Sequence, residues 1–388
     1  MKKNEILFIG HGQAGNNIAD CVVTKSKRRF LSYYINSSLK DIMALKNDKN
    51  KNIADNYFVI PNADGCGRDQ KLSKEYMSLH GANIIDDILK GYQRQRAIYV
   101  AHSTDGGTGG GSAIPLMKGL RRTIQAAKLD KKVIGISVLP SWELKSKIGK
   151  ENALAYWNEM ISNSDAYDFM YVINNYSRKA TDDYSKINNE FAELINLSYD
   201  ICVGDENGTI DTKDREKMYT VKGSKDDKEN LSKIAVMYKL PDNISDARIA
   251  LEAAKSSSIF AKISNMSCKN LLISLKNDTD LDSQDIINEF NYENEVIEGV
   301  NPYCNFVMAT GIPIDSILED IQMIQESLED DKKSRENKPA KSQRAVDLKI
   351  EIESEIAAQS ISSKNTKEVA PDIDDILEDD DFFSDIFG

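Results

Sequence analysis

Thr104-Asp105-Gly106-Gly107-Thr108-Gly109-Gly110-Gly111-Ser112 is the stretch on which the reading of this chain turns. Five of the six residues from Gly106 to Gly111 are glycine, broken only by Thr108. A strand-like run, Ala97-Ile98-Tyr99-Val100-Ala101, precedes it, and an amphipathic helix is expected to begin near Ile114. Glycines without Cβ let successive backbone N–H groups turn toward one anion, and a helix N-terminus adds partial positive charge. Between a strand and a helix, the pattern reads as a phosphate-binding loop rather than a flexible linker. No Gly-x-x-x-x-Gly-Lys-Ser/Thr motif occurs in the chain, so it is not a P-loop.

A second glycine loop opens the chain. Ile6-Leu7-Phe8-Ile9 reads as a buried strand, and Gly10-His11-Gly12-Gln13-Ala14-Gly15-Asn16-Asn17 leads into the apolar positions Ile18, Ala19, Val22 and Val23. This matches the dinucleotide fingerprint G-x-G-x-x-G, which alone is weak. The fingerprint expects an acid after the second strand, but Leu31-Ser32-Tyr33-Tyr34-Ile35 ends in Asn36-Ser37-Ser38. A Rossmann oxidoreductase is therefore the weaker alternative, and a second glycine loop lies outside its pattern.

Composition narrows the class. A length of 388 residues predicts two domains and a tail. Five cysteines (21, 66, 202, 268, 304) form no CxxC pair and are odd in number, as expected in a reduced compartment. The three histidines (11, 80, 102) make no Cys/His cluster, so no zinc site is expected; His102 reads as a packing or loop residue. No run approaches the roughly 20 apolar residues of a membrane helix, so the expectation is a cytoplasmic protein that does not engage membranes. Net charge is −12, but residues 371–388 hold eight acids and no Lys or Arg, which leaves −4 for the rest. With no basic face, strong direct nucleic-acid binding is not expected.

The fold class expected is α/β. Strand-like runs at 5–9, 31–35, 57–60, 97–101, 133–139 and 169–173 alternate with helical segments near 16–27, 39–47, 71–91, 113–128 and 150–163, which predicts a mostly parallel sheet covered on both faces. A long helix is expected from Asp183 to Cys202, with Ile187, Phe191, Leu194, Ile195 and Ser198 on one stripe. The expected organisation is a nucleotide-binding domain (1–180), a central helix with a following loop (181–220), a smaller α/β domain (221–312), a C-terminal helix (313–330), and a linker with an acidic tail (331–388). Helix is expected in the smaller domain at 246–254 and strands at 270–275 and 304–309. Residues 345–357 fit a short helix or a strand equally.

Two glycine loops at this spacing, without a P-loop, resemble the tubulin/FtsZ superfamily. Gly12-Gln13-Ala14-Gly15-Asn16 is similar to tubulin's opening nucleotide loop, and Gly106 to Ser112 resembles the signature GGGTG(T/S)G. Asp105 stands where the signature has its first glycine, and Gly110 where it has Thr or Ser. The resemblance implies GTP and GDP as ligands, with Mg²⁺, and phosphates held by Gly106, Gly107, Thr108, Gly109 and Gly110. It extends the site to Asn36 after the second strand. Gly65-Cys66-Gly67-Arg68 looks like the loop that senses the γ-phosphate. Pro140, Glu143 and Lys147 resemble the ribose loop, with Glu143 on the sugar hydroxyls. Asn174 matches the base-reading asparagine. Tyr184 and Asn188, four apart on one helical face, match the stacking ring and edge-reading amide for guanine.

The segment Asn207-Gly208-Thr209-Ile210-Asp211-Thr212-Lys213-Asp214 resembles the FtsZ loop NVDFAD, with the two acids kept three apart and Thr209 where the family has its asparagine two before the first aspartate. In the family, head-to-tail stacking inserts these acids over a neighbour's γ-phosphate, a heterologous contact that builds open filaments. The resemblance thus implies GTP hydrolysis with Asp214 orienting the water and Asp211 adding polarity. The irregular signature and Thr209 point to the TubZ-type proteins of plasmids and phages, with an FtsZ-like division protein as the alternative. Filament formation with itself, and a DNA-bound adaptor taken by the C-terminal tail, are the partners this implies. The tail itself interleaves acids with Ile373, Ile376, Leu377, Phe382, Phe383, Ile386 and Phe387. That pattern suits an anchor that orders on a partner, although an acidic tail can also serve solubility alone.

Overall fold

The computed structural model describes residues 6–336 apart from 27–29, 46–55, 142, 145, 176–183, 200–201, 204–207, 210–216 and 220–231. Because Ile6, Leu7, Phe8 and Ile9 are all apolar, their strand can be covered on both faces, and each is buried. This strand, β1 (Ile6–His11), lies between β2 (Leu31–Asn36) and β4 (Ala97–Ser103), parallel to both, with Ile9 opposite Tyr33 and Val100. Outside them run β3 (Tyr57–Val59), β5 (Lys132–Leu139) and β6 (Phe169–Asn174), also parallel. The connecting helices are α1 (Gly12–Lys25), α2 (Leu39–Met43), α3 (Gln70–Gly91), α4 (Thr108–Ala126) and α5 (Lys147–Ser162). The alternation read from sequence is therefore present, within a few residues at each end.

Strand order is β3-β2-β1-β4-β5-β6 across this half. From β1 the chain steps outward to β2 and β3, then returns to β4 on the other side. The crevice between the C-terminal ends of β1 and β4 is thus a topological switch point, where open α/β sheets take their ligands. Both glycine loops start there.

α6 (Tyr184–Tyr199) follows, and its predicted stripe of Ile187, Phe191, Leu194, Ile195 and Ser198 is buried. The remaining strands are β7 (Cys202–Val203), β8 (Gly208–Thr209), β9 (Ser232–Leu240), β10 (Ser267–Leu275), β11 (Asn291–Val300) and β12 (Asn305–Pro313). Two helices, α7 (Ala247–Ser257) and α8 (Ser283–Asn288), lie among them. These strands do not form a separate sheet. β9 pairs in parallel with β6, Met170 opposite Ile234, and the sheet continues as β9-β12-β10-β11-β7-β8 to twelve strands.

Three differences from the sequence reading concern boundaries. α4 begins at Thr108, six residues before the expected Ile114. β9, β11 and α8 were not anticipated in the second half. The last helix, α9 (Leu318–Glu336), continues past Glu329 through the polar stretch read as a linker. There Lys150 of α5, nearly buried, donates to Ser327 Oγ at 2.8 Å and pairs with Asp331 at 2.6 Å. Residues 345–357 and the acidic tail lie outside the described residues.

Candidate functional site

The chain enters α1 directly from β1, and Gly12 makes the turn with φ +72°. A Cβ there would also fall 2.9 Å from Gly109 N, so the two glycine loops touch backbone to backbone. Farther along α4, a Cβ on Gly111 would stand 2.5 Å from Gln70 O of α3. Much of the glycine run is therefore close helix packing rather than loop. This is why α4 starts inside it: the contacts with α3 and β1 override glycine's poor helix propensity.

No side chain caps α1 at His11 or α4 at Gly107. Asp69, Ser146, Asp246 and Asp282 cap α3, α5, α7 and α8. The two helix starts that meet at the switch point keep their first-turn N–H groups free of side-chain acceptors, as an anion ligand requires.

A polar scaffold stiffens these starts from behind. Thr108 Oγ1 lies 2.7 Å from Ser37 Oγ, and Cys66 Sγ 3.6 Å from the same hydroxyl. Ser73 Oγ lies 2.7 Å from Thr108 O and 2.8 Å from Ser112 Oγ. His11 Nε2 is 2.7 Å from Ser112 Oγ. Burial pushes the His11 imidazole down to about 4, so the ring is neutral in this chain. His102 is also buried, against Tyr156 and Ser137, and burial pushes it to about 3. It is the packing residue that the sequence suggested.

Beside the helix starts opens a cleft of about 600 Å³. Gln13 and Ala14 of α1 line it, with Arg68 and Asp105 from the two loops, Pro140 and Glu143 after β5, and Tyr184 and Asn188 of α6. Tyr184 is 65% exposed and offers a free ring. α6 is held to α1, since Asn189 accepts from Cys21 Sγ at 3.3 Å and from Lys25 Nζ at 3.2 Å.

Not every expected residue reaches this cleft. Asn174 is 5% exposed, and its Nδ2 donates to Asp320 Oδ1 at 2.6 Å. Its amide is taken up by the first turn of α9, and the next residue, Asn175, lines the cleft instead. Lys147 does not line it either and pairs with Glu151 at 3.4 Å. Asn36 is buried, donating to Asp41 Oδ2 at 3.2 Å. Asn16 is buried too, donating weakly to Ile35 O at 3.5 Å and leaving its Oδ1 without a partner. Gly65 and Gly67 take positive φ of 84° and 53° around Cys66. A Cβ on Gly107 would stand 2.7 Å from Cys66 Cβ, and one on Gly106 2.8 Å from Ser103 Oγ, so both loops are tightly seated. Gly110 is enclosed likewise, with Thr104 O 2.6 Å from where a Cβ would be. Asp211 and Asp214 lie outside the described residues. Sequence reading missed Ser37, Ser73, Asn152 and Asn175, none of which carries a motif.

Comparison with known proteins bears on the fold. The family model for the tubulin/FtsZ GTPase domain matches residues 5–177. Tubulin-like protein TubZ of a Clostridium botulinum C phage is 29% identical over 391 residues, covering 98% of this chain and 99% of the relative. The crystal structure of Clostridium botulinum phage c-st TubZ superposes with a TM-score of 0.72 at 26% identity, over 86% of this chain and 100% of that one. The GTPγS-form protofilament of Bacillus thuringiensis serovar israelensis TubZ shares the fold, with a TM-score of 0.63 at 13% identity over 86% and 94% of the two chains. Residues 5–177, which carry both helix starts at the switch point, match the GTPase domain of the tubulin/FtsZ family.

Proposed function

We propose that this chain is a filament-forming GTPase that assembles head to tail, hydrolyses GTP across the subunit junction, and serves DNA partition. The observation that carries the nucleotide part is the meeting of two uncapped glycine helix starts beside Tyr184 and Asn188. In this reading the phosphates lie on the first turns of α1 and α4, and Glu143 takes the ribose. Tyr184 stacks on guanine, and Asn188 with Asn175 reads its edge. The dinucleotide oxidoreductase alternative loses its support to the GTPase-domain match. Among the described residues no group of three or more His, Cys, Asp or Glu gathers to hold a metal. The Mg²⁺ ion that the family resemblance implies would be held mainly by phosphate oxygens and water and would neutralise charge on the phosphates.

Assembly is supported by the likeness to TubZ, a fold that the Bacillus protein builds into protofilaments in its GTPγS form. The test is light scattering with GTP against GDP, with phosphate release measured at several protein concentrations. Turnover per molecule is expected to rise steeply above a threshold concentration. Turnover independent of concentration would place the whole active site within one subunit.

Base recognition makes a second testable statement. Removing a paired, buried polar contact costs about 1–3 kcal/mol. Asn188→Ala is therefore expected to weaken GTP roughly 5- to 150-fold in a binding titration. Equal affinity of the unaltered protein for ATP and GTP would contradict this assignment.

The tail takes the adaptor in this reading. Truncation after Ala370 is expected to leave GTP-dependent assembly intact and to abolish capture of a basic, DNA-bound adaptor, with salt weakening that capture in the full chain. Full-strength capture by the truncated protein would reduce the tail to a charged brush.

A further inference from the structure

Asp105 is the charged departure from the family signature, and the structure gives it a partner. Arg68 Nη2 stands 3.5 Å from Asp105 Oδ2, with the two side chains 40% and 19% exposed on the cleft. Their backbones are fixed relative to each other. Asn152 Nδ2 donates to Arg68 O at 2.8 Å and to Asp105 O at 3.1 Å. Gln70 Nε2 lies 2.9 Å from Thr104 O and 3.2 Å from Gly106 O. Arg68 itself is held at φ +71°, a conformation that costs a side-chain-bearing residue energy. The two loops are thus clamped, and only the side chains are left to choose partners.

The proposed binding mode sets the direction of a bound nucleotide. The start of α1 touches the start of α4 at Gly12 and Gly109, a Cβ on Gly107 would stand 2.9 Å from the Arg68 backbone N, and Arg68 lines the same cleft as Tyr184 and Asn188. A nucleotide with its base on α6 and its phosphates across these starts then has its last phosphate toward the loop that carries Arg68. The guanidinium that would meet this phosphate is already occupied by a carboxylate. At 3.5 Å and partly solvated, the pair is loose enough to exchange, and phosphate offers the fork a better acceptor set than one carboxylate oxygen.

We propose that Asp105 is a positioning residue that holds Arg68 until a third phosphate displaces it, so that the pair sets the preference of this site for GTP over GDP. A diphosphate falls short of Arg68 and leaves the pair closed. A triphosphate must open it, gaining the guanidinium and leaving Asp105 facing the phosphates. The inference rests on the cleft being the GTP site.

Titration calorimetry of the full-length chain with GTP and with GDP, in Mg²⁺ and below the assembly threshold, tests it. Asp105→Asn is expected to tighten GTP roughly three- to tenfold and to change GDP by less than about twofold. Arg68→Gln is expected to weaken GTP and spare GDP, and Arg68→Lys to restore part of the difference. In the Arg68→Gln background, Asp105→Asn should no longer move the GTP-to-GDP ratio. Retained GDP binding shows that each variant is folded. Equal tightening of GTP and GDP by Asp105→Asn would overturn the proposal in favour of plain charge repulsion, and weaker GTP binding would make Asp105 a ligand instead. An unaltered protein that binds neither nucleotide would remove the reading of the cleft itself.

Discussion

Asp214→Ala is expected to bind GTP, assemble, and then fail to turn over, leaving filaments that persist where those of the unaltered protein shorten. Phosphoryl transfer needs little covalent chemistry from a protein; it needs positioned charge and an oriented nucleophile. In the proposed site the helix starts of α1 and α4 supply the first of these within one subunit. Among the described residues the carboxylates lining the cleft are Glu143, proposed for the ribose, and Asp105, proposed to hold Arg68 until a triphosphate binds. Orienting the water is the role proposed for the neighbour's Asp214. A positioned general base contributes about 10²- to 10⁴-fold, so turnover should fall by that order in Asp214→Ala. Asp211→Ala is expected to lose less. Mixing Asp214→Ala with a variant that cannot bind GTP should restore part of the activity, since one partner then brings the acid and the other the nucleotide. Undiminished turnover in Asp214→Ala alone would show that this loop is not catalytic.

Acid is expected to destabilise the fold strongly, and two histidines set the sign. His11 and His102 are fully buried, and burial depresses their pKa values from 6.5 to about 4 and about 3. Between pH 6.5 and 4 the unfolded chain therefore binds more protons than the folded one, and stability present above pH 6.5 is lost as pH falls. Each histidine contributes a slope of about 1.4 kcal/mol per pH unit, so the pair removes on the order of 6 kcal/mol by pH 4. That is comparable to the whole stability of an ordinary domain. Asp320 acts the other way, because burial raises its pKa to about 6, and it offsets part of this loss below that pH. Urea unfolding from pH 7.5 to 4.5 should show the decline, and His102→Gln should flatten it while lowering stability at pH 7.5. A stability that stays level from pH 7 to 5 would contradict the burial of these rings.

Residues read from sequence as one site were brought together selectively. Gln13, Ala14, Arg68, Glu143, Tyr184 and Asn188 line one cleft, as their order in the chain suggested. Local signals sufficed for these because each belongs to a motif or to one helical face. The choice between Asn174 and Asn175 was not legible. β6 is buried along its whole length, so no alternation marks which of two adjacent asparagines turns outward. Only Asp320, 146 residues on from Asn174, decides it, by taking up the Asn174 amide. β11 was equally hidden, since Asn291-Tyr292-Glu293-Asn294-Glu295 carries the polar surface of a loop. Its strand conformation comes from the ladder with β10.

By itself the sequence determined the parallel α/β half, the two glycine loops and their order, because buried runs, helical periods and glycine are properties of neighbouring residues. The tertiary structure decided where those glycines act, since α4 starts at Thr108 only because α3 and β1 approach too closely for any Cβ. It also joined β9 to β6 in one sheet, carried α9 out to Glu336, and set Arg68 against Asp105. Each of these outcomes is a contact between residues far apart in the chain, and the energy of such a contact depends on what lies opposite, which no local pattern records.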